Sequence, residues 1–157
     1  MKLQGLRSSF CFVITQTGHV MQHLFAYGSL MYPQVIAQVL GYTPTRSMSA
    51  QLMGWQRRAL KNRSYPAAIA QATSPLDSVI LGVLWMDLTQ QDFLRLDAFE
   101  SHEYRRVAVT VFSADHPSIP AAIYEWQDRS ELLDHDWSET EFKTRHLSGF
   151  YEQHRID

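Results

Sequence analysis

Leu24-Phe25-Ala26-Tyr27-Gly28-Ser29-Leu30-Met31 joins a short apolar run to a glycine–serine pair, and helix-compatible residues follow from Pro33. The run suits a buried strand. Periodicity alone does not type so short a run, so its punctuation decides the reading. Gly28-Ser29 marks a tight turn. A strand that feeds such a turn and then a helix leaves several backbone N–H groups facing one concavity, which suits a carboxylate or a developing oxyanion. Glycine allows close backbone approach, and serine adds a hydroxyl donor. The same residues also fit an ordinary strand-to-helix turn, and the stretch by itself does not separate the two.

Outward from this stretch, strands and helices follow in an irregular order. Residues 24–27 read as the first strand. Pro33 opens a helix, with Val35, Ile36, Val39 and Leu40 at helical spacing and Gly41 as its stop. Met48 to Met53 alternates loosely, Gly54 punctuates, and Trp55 to Leu60 continues as a partner strand or a bent extension. Arg57, Arg58, Lys61 and Arg63 form the densest basic cluster. They read either as a charged strand edge or as a group of which one steers a carboxylate.

Gln71 to Asp77 reads as a loop, and Ser78 to Asp87 as a long central strand in which Gly82 marks a bulge or a close approach. Thr89 with Asp92 has N-cap spacing, and the helix it starts presents Phe93, Leu96 and Phe99 and ends near Glu100. Tyr104 to Phe112 alternates, so that Tyr104 and Arg106 lie opposite Val107, Val109 and Val111. Ile119 to Trp126 is a further strand. Ser138 and Glu141 have capping-box spacing before a closing helix with Phe142, His146 and Phe150. Strands with intervening helices, without regular strand–helix–strand alternation, predict an α+β fold.

A length of 157 residues fits one domain with a real core. Net charge is −2 and the basic residues form no run, which argues against a nucleic-acid surface. No stretch approaches the ~18 apolar residues of a membrane span. The single cysteine, Cys11, excludes an intrachain disulfide and fits a cytoplasmic setting. Residues 1–21 form an extension to which no role is assigned. Its short run Phe10-Cys11-Phe12-Val13-Ile14 reads as an extra strand or a lead segment, and Met21 is an alternative start. The domain proper spans residues 22–157.

A second stretch adds chemistry. Leu96-Asp97-Ala98-Phe99-Glu100 ends a helix on a carboxylate, and Tyr104-Arg105-Arg106 opens a strand. Together with Tyr27-Gly28-Ser29-Leu30 and Tyr65-Pro66, in this order and spacing, it resembles the γ-glutamylcyclotransferase-like family, which includes γ-glutamylamine cyclotransferases and the avirulence-induced plant proteins. The resemblance covers roughly residues 22–152. It implies a small, mixed, partly closed β-sheet or barrel flanked by helices, with a cavity at one end. It also implies release of 5-oxoproline from a small γ-glutamyl substrate, without a cofactor. Glu100 matches the family's catalytic glutamate. Tyr27, Gly28, Ser29 and Leu30 would cradle the substrate. Tyr65 and Tyr104 would line the pocket, and Arg106 would pair with a carboxylate nearby or support the fold. The chain departs from the family pattern at Ala67 and Ser101, where glycine is usual.

The implied reaction is intramolecular, since the substrate's α-amine attacks its own γ-carbonyl, and much of the entropic cost is already met. One carboxyl group with a raised pKa serves both proton transfers. No phosphate-binding glycine loop, nucleophile elbow or zinc spacing is present, and Asp134-His135-Asp136 reads as a polar loop rather than a metal site. The alternative is a non-catalytic small-ligand-binding or regulatory protein that retains the cavity.

Overall fold

The computed structural model describes residues 13–14, 20–71 and 78–153. Eight strands carry the architecture: β1 (Val13–Ile14), β2 (Val20–Ala26), β3 (Ser47–Met53), β4 (Trp55–Arg58), β5 (Ala67–Ala70), β6 (Val79–Leu88), β7 (Tyr104–Val111) and β8 (Ile119–Trp126). The main sheet has the order β3-β6-β2-β8-β7, with β1 paired to β2, while β4 and β5 form a separate two-stranded sheet. The β2–β8 pair is parallel and the others are antiparallel. The edge strands β3 and β7 approach one another, and Gln51 and Phe112 exchange both backbone hydrogen bonds at 2.8 and 2.9 Å. One bridge joins the edges where a barrel would need a ladder, so the sheet is curled and not closed.

Alternation along β2 sends side chains to two cores. Leu24 and Ala26 join a cluster with Ile36, Leu40, Trp85, Phe93, Leu96, Tyr124 and Phe142. Phe25 points the other way, toward Leu52, Ile80, Leu84, Val111 and Ile123. The central strands β2 and β8 are therefore buried on both faces and lose the polar half of their alternation. Gly82 of β6 is required by close approach, because a Cβ there would lie 2.3 Å from the Ala26 carbonyl oxygen and 2.8 Å from the Phe25 ring.

Helix α1 (Pro33–Leu40) starts on its proline and ends at Gly41, whose φ of 84° is readily available to glycine. Helix α2 (Gln90–Glu100) begins with a reciprocal capping box between Thr89 and Asp92. At the C-terminus, Ser138 caps α3 (Glu139–Glu141), a π-helical stretch follows over Phe142–His146, and α4 (Leu147–Gln153) completes the segment. The expected single closing helix is thus broken by a wider turn. Phe142 and Phe150 are buried, while His146 stays on the outer face.

Strand β2 begins at Val20 and so crosses the boundary drawn between residues 21 and 22. Phe10, Cys11 and Phe12 of the N-terminal run, and residues 72–77 of the expected Gln71–Asp77 loop, lie outside the described residues.

Candidate active site

Strand β2 ends at Ala26. Tyr27 and Gly28 lead into a 3-10 turn over Ser29–Met31, where Met31 N–H donates to the Gly28 carbonyl and Tyr32 N–H to that of Ser29. Among the described residues, the N–H groups of Gly28, Ser29 and Leu30 make no hydrogen bond. Trp85 Nε1–H donates to the Leu30 carbonyl at 2.9 Å and fixes the far side of the turn. Gly28 is needed for space, because a Cβ there would sit 2.7 Å from the Pro66 ring. The turn and the Tyr65-Pro66 segment are therefore in contact, although they lie far apart in the sequence.

A cavity opens beside this turn and encloses about 590 Å³ of empty space, its mouth included. Tyr27, Gly28, Ser29, Leu30, Tyr65, Glu100 and Tyr104 all line it. Arg106 does not. It pairs with Asp97 at 3.5 Å and lies over the Phe93 ring at 4.8 Å, so it braces α2 against β7 instead of reaching substrate space. Tyr124, Glu103, Phe99 and Phe150 also line the cavity and were not singled out as site residues from the sequence. Tyr124 lies on β8, buried on both faces, where no alternation marks a site residue. Glu103 lies at the end of the 3-10 turn Ser101–Glu103 that follows Glu100.

The tyrosines are fixed by hydrogen bonds. Tyr27 O–H donates to the Tyr124 carbonyl at 2.6 Å, and Tyr104 O–H donates to the Pro66 carbonyl at 2.7 Å. Tyr124 O–H donates to Asp97 at 2.7 Å. Burial pushes the hydroxyl pKa values of Tyr27, Tyr104 and Tyr124 up, so these groups are neutral wall elements and not bases. Tyr65 O–H donates to Glu103 Oε1 at 3.1 Å, and Arg63 grips Glu103 Oε2 through Nε at 3.1 Å and Nη2 at 2.9 Å.

Glu100 differs from these groups. Its side chain is half-buried against the cavity, and among the described residues no donor hydrogen-bonds its carboxyl group. Burial, followed by the nearby negative charge of Glu103, raises its pKa to about 8. A carboxyl group poised near neutrality in a concavity suits proton transfer in both directions. Ser101, the next residue, ends α2 with φ 60° and ψ −163°. This is a backbone region that belongs essentially to glycine.

The basic cluster resolves into individual pairs: Arg57 with Asp136, Arg58 with Asp134, and Arg63 with Glu103 and Glu131. The two aspartates of Asp134-His135-Asp136 are thus arginine partners, and no group of three metal-ligating side chains occurs among the described residues. No helix among the described residues is long and apolar enough to cross a membrane.

A model of the family described as gamma-glutamyl cyclotransferase, AIG2-like, matches residues 24–140. AIG2-like protein A of Arabidopsis thaliana is 32% identical over 134 residues, which cover 84% of this chain and 78% of the relative. The solution structure of an Arabidopsis thaliana protein superposes with a TM-score of 0.63 at 31% identity, covering 85% of this chain and 87% of that one. A solved structure described as a gamma-glutamyl cyclotransferase superposes with a TM-score of 0.57 at 13% identity over 86% of each chain, a likeness of fold alone. The chain belongs to the gamma-glutamyl cyclotransferase, AIG2-like family.

Proposed function

We propose that the protein is a cofactor-independent cyclotransferase that releases 5-oxoproline from a γ-glutamyl amine or peptide. The observation that carries this reading is the Glu100 carboxyl group, without a hydrogen-bond partner among the described residues and with its pKa raised to about 8, in one cavity with the Gly28-Ser29 turn. The substrate's α-carboxylate or its developing oxyanion meets the N–H groups of Gly28, Ser29 and Leu30. The aromatic walls formed by Tyr65 and Tyr104 hold the glutamyl chain folded.

The Glu100 carboxylate takes a proton from the α-ammonium. The freed amine nitrogen attacks the γ-carbonyl carbon, and a C–N bond forms to close the five-membered ring. Collapse of the tetrahedral centre breaks the bond to the leaving nitrogen, which takes that proton back from Glu100, and the second proton that the ring nitrogen sheds on becoming an amide passes by way of Glu100 to the departing amine, which is released protonated. The products are 5-oxoproline and a free amine, and no water is consumed. The leaving amine departs through the mouth of the cavity.

The test is 5-oxoproline release from a panel of γ-glutamyl amines and dipeptides by wild type and by Glu100→Gln, with folding checked by circular dichroism. Glutamine keeps the shape and cannot shuttle the proton. Release by wild type and its loss in the variant is the expected result. Equal release by both removes Glu100 from the mechanism. Binding of 5-oxoproline by a wild type that releases none identifies a ligand-binding protein.

A further inference from the structure

Arg57 lies outside the cavity lining, and its contacts converge on the turn that forms one wall. It sits on β4 with its side chain 15% exposed. Its Nη1–H donates to the Tyr27 carbonyl at 3.1 Å. Its Nε and Nη2 grip the two oxygens of Asp136 at 2.9 and 3.2 Å, and its guanidinium stacks over the Trp137 ring at 5.2 Å. Trp137 is anchored in turn, since its Nε1–H donates to the Ser64 carbonyl at 2.7 Å, beside Tyr65-Pro66. The planar fork is thus held from two sides, and its third donor direction is spent on one backbone oxygen.

We propose that Arg57 is a positioning residue for the candidate active site: by holding the Tyr27 carbonyl outward, it fixes the Tyr27–Gly28 peptide so that the Gly28 N–H faces the cavity as a donor to an anionic substrate oxygen. The peptide is trans, as are all peptides among the described residues. In a trans peptide the C=O and N–H lie in one plane and point in opposite directions, so fixing one aims the other. The cation at the carbonyl end also polarises the peptide and strengthens the N–H as a donor. Gly28 cannot drift toward Pro66 to find another arrangement, because even a Cβ has no room there. Lysine does not replace this function, because it lacks the planar fork that binds a carboxylate and a carbonyl together.

The inference rests on the cyclotransferase reading for its substrate, and its test has a readout that does not need turnover. Isotope-labelled wild type, Arg57→Lys and Asp136→Asn are titrated with 5-oxoproline while the Gly28 backbone amide is followed by NMR, and each protein is assayed for 5-oxoproline release across pH. Asp136→Asn keeps the arginine and loosens its grip, so it serves if Arg57→Lys does not fold. The expected result is a downfield Gly28 amide shift on titration of wild type, weakened in Asp136→Asn and lost in Arg57→Lys. Turnover should fall in Arg57→Lys by up to about a hundredfold, the lower end of what loss of one oxyanion donor costs. The pH midpoint set by Glu100 should stay where it is in wild type. Unchanged Gly28 response and unchanged 5-oxoproline affinity in both folded variants overturns the inference, as does a wild-type Gly28 amide that ignores the ligand. A wild type with the Gly28 response and no turnover sinks the cyclotransferase reading and leaves the role of Arg57 standing.

Discussion

Glu103 shares the cavity wall with Glu100, and its negative charge adds to burial in holding the Glu100 carboxyl group protonated up to about pH 8. Arg63 and Tyr65 keep Glu103 in place from residues far away in the chain. A base is active only when ionised, so kcat/KM is expected to rise with pH along a limb centred near 8. Glu103→Gln keeps one acceptor oxygen for Arg63, turns its amide N–H toward the Tyr65 hydroxyl oxygen and removes the charge. Its limb should move to lower pH while staying above the range of an ordinary glutamate, because burial remains the larger cause. A pH–rate profile of the two proteins reads this directly, and an unmoved limb would remove Glu103 from the tuning of Glu100.

The same shift has a stability consequence with a definite sign. The folded pKa of Glu100 is raised to about 8 from the usual 4.5. Below pH 4.5 the group is protonated in both states and costs nothing. Between pH 4.5 and 8 the unfolded chain releases the proton first, so wild type loses stability as pH rises, and above 8 the loss is complete. The slope cannot exceed about 1.4 kcal/mol per pH unit, and water at the cavity mouth keeps it below that ceiling. Glu100→Gln has no such penalty. Its advantage over wild type in urea denaturation should be absent at pH 4 and largest above pH 8.

Gly28 joins the turn to Pro66, and space is restricted there. Gly28→Ala forces a Cβ to 2.7 Å from the Pro66 ring. Overpacking of this kind costs about 1–3 kcal/mol. The turn is expected to shift and take its N–H groups with it, so activity should fall more than stability. Denaturation curves alongside kcat and KM measure both. A variant with wild-type stability and rate would show that the Pro66 ring yields.

Local features were legible in the sequence, and distant pairings were not. The strand, turn and helix around Gly28 are written in residue types that act locally, as are the Thr89–Asp92 cap and the end of α2 at Glu100. Arg106 was expected to pair with a carboxylate nearby or support the fold, but nothing local assigned it to Asp97. Tyr124 was hidden because β8 lies between β2 and β7 and is buried along most of its length, which erases the polar alternation that marks a face. Arg63–Glu103 and Arg57–Asp136 join residues 40 and 79 positions apart, and no spacing rule spans such distances. The π-helical stretch over Phe142–His146 keeps Phe142 and Phe150 buried with His146 outside, a change of winding that regular helical spacing does not anticipate.

Ser101 carries the last expectation. It follows Glu100 directly, caps α2 through its N–H to the Asp97 carbonyl, and sits at φ 60° and ψ −163°. The Cβ of serine makes this conformation cost about 1–3 kcal/mol. Glycine removes that strain and gives back part of the gain through the greater freedom of the unfolded chain, about 0.4–1 kcal/mol. Ser101→Gly should therefore be more stable than wild type by roughly 1 kcal/mol, which raises Tm by about 2–4 °C for a chain of this size. Ser101→Ala keeps the Cβ and should show no such gain, which separates backbone strain from loss of the hydroxyl. The backbone path that aims Glu100 is already the one glycine adopts, so kcat/KM should stay within about twofold. A Ser101→Gly variant no more stable than Ser101→Ala would mean that the chain leaves α2 by another route.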